Sequence, residues 1–148
     1  MEKIASFTVN HLTLLPGIYV SRQDTVGETK VTTFDLRMTR PNFEPVMNTA
    51  EMHPIEHLAA TYLRNEPCWK DKVLYFGPMG CQTGFYFLFD SALLPVADAI
   101  SLLQKVFSAA AKFEGEMPGK SAVECGNYVN LDMETGKAVC KFYANLIA

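Results

Sequence analysis

The residues best suited to chemistry stand together at His53-Pro54-Ile55-Glu56-His57. The chain has three histidines, and two of them lie four residues apart with a glutamate between them. On a helix, at about 100° per residue, His57 sits about 40° around the axis from His53, and Glu56 about 60° the other way. One face of a single turn then carries two imidazoles and a carboxylate. Two imidazoles at that spacing can chelate one tetrahedral divalent metal, with the glutamate beside the position left open. The arrangement is H-x-x-E-H. Pro54 constrains the helix, because in an interior position its ring clashes with the carbonyl four residues earlier. The helix is therefore expected to begin close to His53, with Pro54 in its first turn.

A catalytic metal of this kind needs a third protein ligand and an open fourth position. His11 and the four cysteines, Cys68, Cys81, Cys125 and Cys140, are the candidates. Cys125, within Val123-Glu124-Cys125-Gly126-Asn127, lies on a short turn-like segment that could present a thiol to the helix, and by a small margin it is favoured over Cys81. Cys140, inside a helical pattern, and Cys68, beside Trp69, read as core or surface filling. Cys81 lies on a turn bounded by Gly80 and Gly84, with backbone freedom that a core cysteine does not need. If that turn faces a cation, its thiol pKa falls and a thiolate becomes available as base or nucleophile. The alternative is a buried thiol in a structural hairpin. Arg64 falls seven residues past His57, about 10 Å along the same helix face, where it could take the carboxylate of a small substrate. Equally, it could be a surface arginine favoured by the helix C-terminus.

The elements that must position these residues follow from periodicity. Gly17-Ile18-Tyr19-Val20 and Val31 to Arg37 are rich in β-branched and aromatic residues and read as strands joined through a Gly27-containing connection. Pro41-Asn42 and Pro45 mark a loop. A helical pattern runs from about Met52 to Arg64. Two apolar strands, Val73 to Phe76 and Phe85 to Phe89, flank the turn that carries Cys81. Further helices are expected over Val96 to Phe113, with Val96, Ile100, Leu103, Phe107 and Ala110 on one stripe, and over Asp132 to Leu146, with Val139, Phe142, Tyr143 and Leu146 at helical spacing. Strands and helices without regular βαβ alternation imply an α+β fold: a single domain, a two-layer sandwich with a largely antiparallel sheet against helices.

Composition excludes several classes. The chain has 148 residues, of which 49% are apolar and 20% charged, which fits one folded domain and not a disordered chain. Net charge is −3 with no basic run, so no nucleic-acid partner is expected. No apolar run approaches the ~20 residues that span a bilayer, and the start Met-Glu-Lys-Ile-Ala-Ser lacks a secretory signal's apolar stretch. A soluble cytoplasmic protein with no membrane partner is the expectation.

Nearly end to end, the chain resembles the S-ribosylhomocysteine lyases, the LuxS family. Ser6-Phe7 followed by His11 is similar to that family's S-F-x-x-D-H, with Asn10 in place of the Asp. Phe34-Asp35-Leu36-Arg37 and Arg40-Pro41-Asn42 resemble its F-D-x-R and Q-P-N. His53 to His57 with Leu58 and Ala59 resemble its metal helix, Pro54 standing where Thr is common. Pro78-Met79-Gly80-Cys81-Gln82-Thr83-Gly84 matches P-M-G-C-x-T-G, and Glu124-Cys125-Gly126-Asn127-Tyr128 the late C-G turn. Tyr75-Phe76-Gly77 departs from the acidic residue, aliphatic and Ser that usually precede P-M-G-C.

The resemblance implies one divalent metal per subunit, held by His53, His57 and Cys125, with Fe²⁺ expected and Zn²⁺ or Co²⁺ able to substitute. It implies Cys81 and Glu56 as the acid–base pair, and substrate binding by Ser6, His11, Arg37 and Arg64. Family members are homodimers with sites at the interface, across which Ser6, His11 and Arg37 would act. The implied reaction cleaves the thioether of S-ribosylhomocysteine to homocysteine and 4,5-dihydroxy-2,3-pentanedione, the autoinducer-2 precursor, by carbonyl migration and β-elimination. On the residues alone two other classes stay open: a small H-x-x-E-H metallopeptidase, and a structural zinc-binding domain closed by four protein ligands.

Overall fold

The structure is a computed structural model that describes residues 1–148. Alternating side chains in its long strands produce a sheet with one covered face. Strands β1 (Gly17–Val26) and β2 (Thr29–Arg37) form a hairpin closed around Gly27-Glu28, where Gly27 adopts a φ of +61°. Two further strands, β3 (Val73–Pro78) and β4 (Gly84–Asp90), complete an antiparallel sheet of order β1-β2-β4-β3. The β2–β4 register pairs Phe34 with Phe87 and Leu36 with Phe85. All four side chains are buried on the inner face. The intervening residues face outward, pairing Asp35 with Tyr86 and Arg37 with Gly84. A side chain at Gly84 is impossible without rearrangement, since its Cβ would lie 2.2 Å from the Leu36 carbonyl oxygen.

Three helices cover the inner face: α1 (Thr49–Asn65), α2 (Val96–Ala111) and α3 (Met133–Leu146). Ile55, Leu58 and Leu63 of α1, Leu103 and Phe107 of α2, and Cys140 and Tyr143 of α3 are fully buried in one core with the sheet's phenylalanines. Each such apolar side chain contributes about 1.5–3 kcal/mol by leaving water. This is the expected two-layer α+β arrangement with an antiparallel sheet. On α3, Tyr143 and Cys140 provide the buried contacts, whereas Phe142 and Leu146, at the same helical spacing, are 56% and 42% exposed.

One local expectation is overturned. The helix α1 begins at Thr49, four residues before His53, so Pro54 is its sixth residue and not part of the first turn. The start is fixed upstream by a capping box. Asn48 Oδ1 accepts from the Glu51 N–H at 3.0 Å, and Glu51 Oε2 accepts from the Asn48 N–H at 2.7 Å. Pro54 cannot donate to the Ala50 carbonyl, its i−4 partner. That acceptor is taken instead by the Asp132 N–H at 3.0 Å. The helix tolerates its proline because a segment distant in sequence supplies the missing donor.

Candidate metal centre and acid–base site

Because α1 runs straight through His53 and His57, the two imidazoles project from one face, with ring centroids 4.6 Å apart and planes at 89°. Each ring is held from behind by a main-chain carbonyl. His53 Nδ1 lies 2.8 Å from the Asn130 oxygen, and His57 Nδ1 lies 2.8 Å from the Pro118 oxygen. A carbonyl only accepts, so both rings donate from Nδ1, the tautomer that leaves Nε2 as the ligating atom of a neutral imidazole. Such backing of a ligand ring is the usual way a protein fixes a metal site.

Cys125 closes the group. Its Sγ lies 3.3 Å from His53 Nε2, and donor atoms of His53, His57 and Cys125 all lie within 4.8 Å of one another. The loop carrying it is set by the Cys125 N–H donating to the Ser121 oxygen at 3.0 Å, and the Asn127 N–H points at the sulfur from 3.5 Å. For metal bonds of about 2.0–2.3 Å at tetrahedral angles, donor atoms should stand about 3.3–3.6 Å apart. The His53–Cys125 pair has that spacing and the whole group lies within about 1 Å of it, so the residues fit a divalent metal, and no fourth His, Cys, Asp or Glu joins the group. Glu56, half-buried one residue before His57, forms no ion pair.

Cys81 sits in a second cluster, on the sheet's outer face. Its turn is shaped by Gln82 in the left-handed region at a φ of 62°, and is tied down by Thr83 and Gln82 carbonyls that accept from the Met38 and Met47 N–H groups at 2.9 and 3.1 Å. Arg37, 3% exposed, spans the cluster. Its Nε and Nη2 grip Asp35 at 3.1 and 2.5 Å, while Nη1 donates to Thr83 Oγ1 at 2.6 Å and lies 3.8 Å from Cys81 Sγ. The Cys81 sulfur is also 3.1 Å from the Thr83 hydroxyl. Partial burial opposes the thiolate. Hydrogen bonds from the Thr83 hydroxyl and N–H, with the Arg37 charge, outweigh it and hold the Cys81 thiol below its ordinary pKa.

The remaining sequence-derived candidates join neither cluster by a hydrogen bond or ion pair. Ser6 lines a hollow of about 340 Å³ on the outer sheet face, with Thr33, Tyr75 and Tyr86. His11 Nδ1 meets the Val9 carbonyl at 2.9 Å. Arg64 donates through Nη2 to the Leu74 carbonyl at 3.0 Å and is otherwise exposed. Sequence reasoning missed Asp35 and Thr83, although each stands two residues from a named partner on the same strand or turn. It also missed the carbonyls of Pro118 and Asn130, which carry no residue-type signal at all.

A family model described as S-Ribosylhomocysteinase (LuxS) matches residues 4–147. The S-ribosylhomocysteine lyase of Clostridium beijerinckii is 57% identical over 145 residues, covering 98% of this chain and 91% of that protein. The S-ribosylhomocysteine lyase of Clostridium acetobutylicum is 56% identical over 133 residues (90% and 84%), and that of Phocaeicola vulgatus 53% identical over 137 residues (93% and 84%).

Proposed function

The chain belongs to the S-ribosylhomocysteinase (LuxS) family and is a carbon–sulfur lyase acting on S-ribosylhomocysteine, and we propose that His53, His57 and Cys125 hold its divalent metal while Cys81 and Glu56 move the protons. The observation that carries the assignment is the pair of imidazoles backed at Nδ1 by carbonyls and converging with the Cys125 sulfur. A bound divalent cation supplies Lewis acidity beside the sugar oxygens. Two imidazoles and one thiolate accept Fe²⁺, Zn²⁺ and Co²⁺, and we assign Fe²⁺ from the family.

The chemistry asks for mobile protons. The ribose carbonyl moves from C1 to C3 as protons leave carbon and return to its neighbour. Loss of the C4 proton then expels the homocysteine sulfur from C5. Cys81 Sγ, whose thiolate Arg37 and Thr83 favour, takes protons from carbon and returns them. Glu56, on the same turn as both histidines, serves the sugar oxygens and protonates the departing sulfur. Bases so placed contribute about 10²–10⁴ each. Ser6, His11 and Arg64 bind substrate, and Arg37 favours the charged form of the base.

The whole chain works as one catalytic domain in a cytoplasmic homodimer. Phe7, Leu12 and Leu15 of the N-terminal arm are 71%, 61% and 54% exposed, which supports a second copy covering them and receiving Ser6 and His11 at its own site. No helix is long and apolar enough to cross a membrane. A peptidase of the H-x-x-E-H type would take a third carboxylate ligand, and a structural zinc domain a fourth protein donor; the donor group contains neither. The direct test is to incubate anaerobically prepared protein with S-ribosylhomocysteine and follow free homocysteine thiol. Release by the wild type and none by Cys81→Ala with metal still bound is the expected result. Undiminished release by that variant would remove Cys81 from the mechanism.

A further inference from the structure

Gly136 stands in the fourth position of α3, buried against α1, and its backbone is ordinary helix. Nothing in that conformation calls for glycine, and alanine is the better helix former. The reason lies across the helix interface. A Cβ at position 136 would meet Pro54 Cγ at 2.7 Å, Pro54 Cβ at 3.2 Å and the Glu51 carbonyl oxygen at 3.3 Å. Carbon atoms in contact prefer about 3.5–4.0 Å, and neither a proline ring nor a helical carbonyl can rotate away. Alanine would therefore part the two helices by about 1 Å at this point.

The same stretch of chain backs the metal ligand. Six residues before Gly136, the Asn130 carbonyl takes the His53 Nδ1 proton at 2.8 Å, and four residues before it the Asp132 N–H reaches the Ala50 carbonyl at 3.0 Å. Asp132 also caps α3, so the three contacts move with the first turn of that helix. A hydrogen bond stretched by about 1 Å from that distance is lost.

We propose that Gly136 is a positioning residue for the metal centre: its missing side chain lets α3 seat on the Pro54 ring, which holds the Asn130 carbonyl behind His53. The inference rests on His53 being a metal ligand. The test is the Co²⁺-loaded protein, with the dissociation constant measured by chelator competition and the visible absorption spectrum recorded for wild type, Gly136→Ala, Pro54→Ala and the double variant. Loss of a backing contact typically weakens metal binding about 10–100-fold, and that weakening with an altered spectrum is expected for Gly136→Ala. Removing the ring in the double variant should return both affinity and spectrum close to wild type. Wild-type affinity and spectrum in a folded Gly136→Ala protein would overturn the proposal, as would a double variant no better than the single. Should Gly136→Ala fail to fold, the double variant decides: folded with the wild-type spectrum sustains the proposal, and unfolded or spectrally altered refutes it. A wild type that binds no Co²⁺ would instead sink the ligand assignment, and this inference with it.

Discussion

The proposed metal triad and the Cys81 cluster are held by opposite means. Both imidazoles are oriented by main-chain carbonyls from segments 61 and 77 residues away, and Cys125 is brought in by its own loop. Cys81 is governed by side chains from its own turn and an adjoining strand: Thr83, Arg37 and, behind the arginine, Asp35. The contrast extends to the thiols. Burial alone pushes Cys140 up to about 12, whereas Cys81, with hydroxyl and guanidinium partners, is held below its ordinary value. A thiol in this fold is acidified by its neighbours and made less acidic by depth.

The sharpest way to break the comparison is at the triad. Cys125→Ala should abolish stoichiometric metal binding, measured by elemental analysis after dialysis, and with it turnover, while the Cys81 cluster remains intact. Cys81→Ala should separate the two: metal content stays at wild-type level while turnover is lost, a fall in kcat of at least about 10²–10⁴. A Cys81→Ala protein that loses its metal would merge the two regions into one.

Arg37→Met addresses the side-chain-built region on two counts. It strands Asp35, 10% exposed, without its partner, a loss of about 3 kcal/mol in a denaturant titration. It also removes a charge that favours the Cys81 thiolate, so the Cys81 pKa rises. With the thiolate as the proposed base, the acid limb of the kcat/KM profile should shift to higher pH, with activity at neutral pH reduced. An unshifted limb would show that Thr83 alone sets the thiol. The smallest effect belongs to the helix start. Asn48→Ala removes one half of the capping box, costing about 1 kcal/mol by thermal melting, with metal content unchanged.

How much was legible in the sequence follows the same division. His53, Glu56 and His57 could be placed on one face from spacing alone, because a helix converts three- and four-residue intervals into adjacency. The strands β2 and β4 could be read from their runs of β-branched and aromatic residues. Cys125, joined to the histidines only by tertiary folding, was separated from Cys81 by a narrow margin without the family resemblance. The start of α1 lies upstream of where Pro54, as a first-turn residue, would put it. The Asn48–Glu51 box starts the helix earlier, and the Asp132 N–H, out of reach of any local pattern, satisfies the Ala50 carbonyl. The carbonyls behind the imidazoles were invisible for a similar reason, since every residue has one.

Central to everything above is a metal held by two imidazoles and a single thiolate, with room for substrate. Metal-edge X-ray absorption of the anaerobic, metal-loaded protein tests it most directly. One sulfur scatterer at about 2.3 Å, beside nitrogen or oxygen neighbours near 2.0–2.1 Å, is the expected shell, with the sulfur lost in Cys125→Ala. A shell without sulfur in the wild type, or one that keeps its sulfur in that variant, would contradict it.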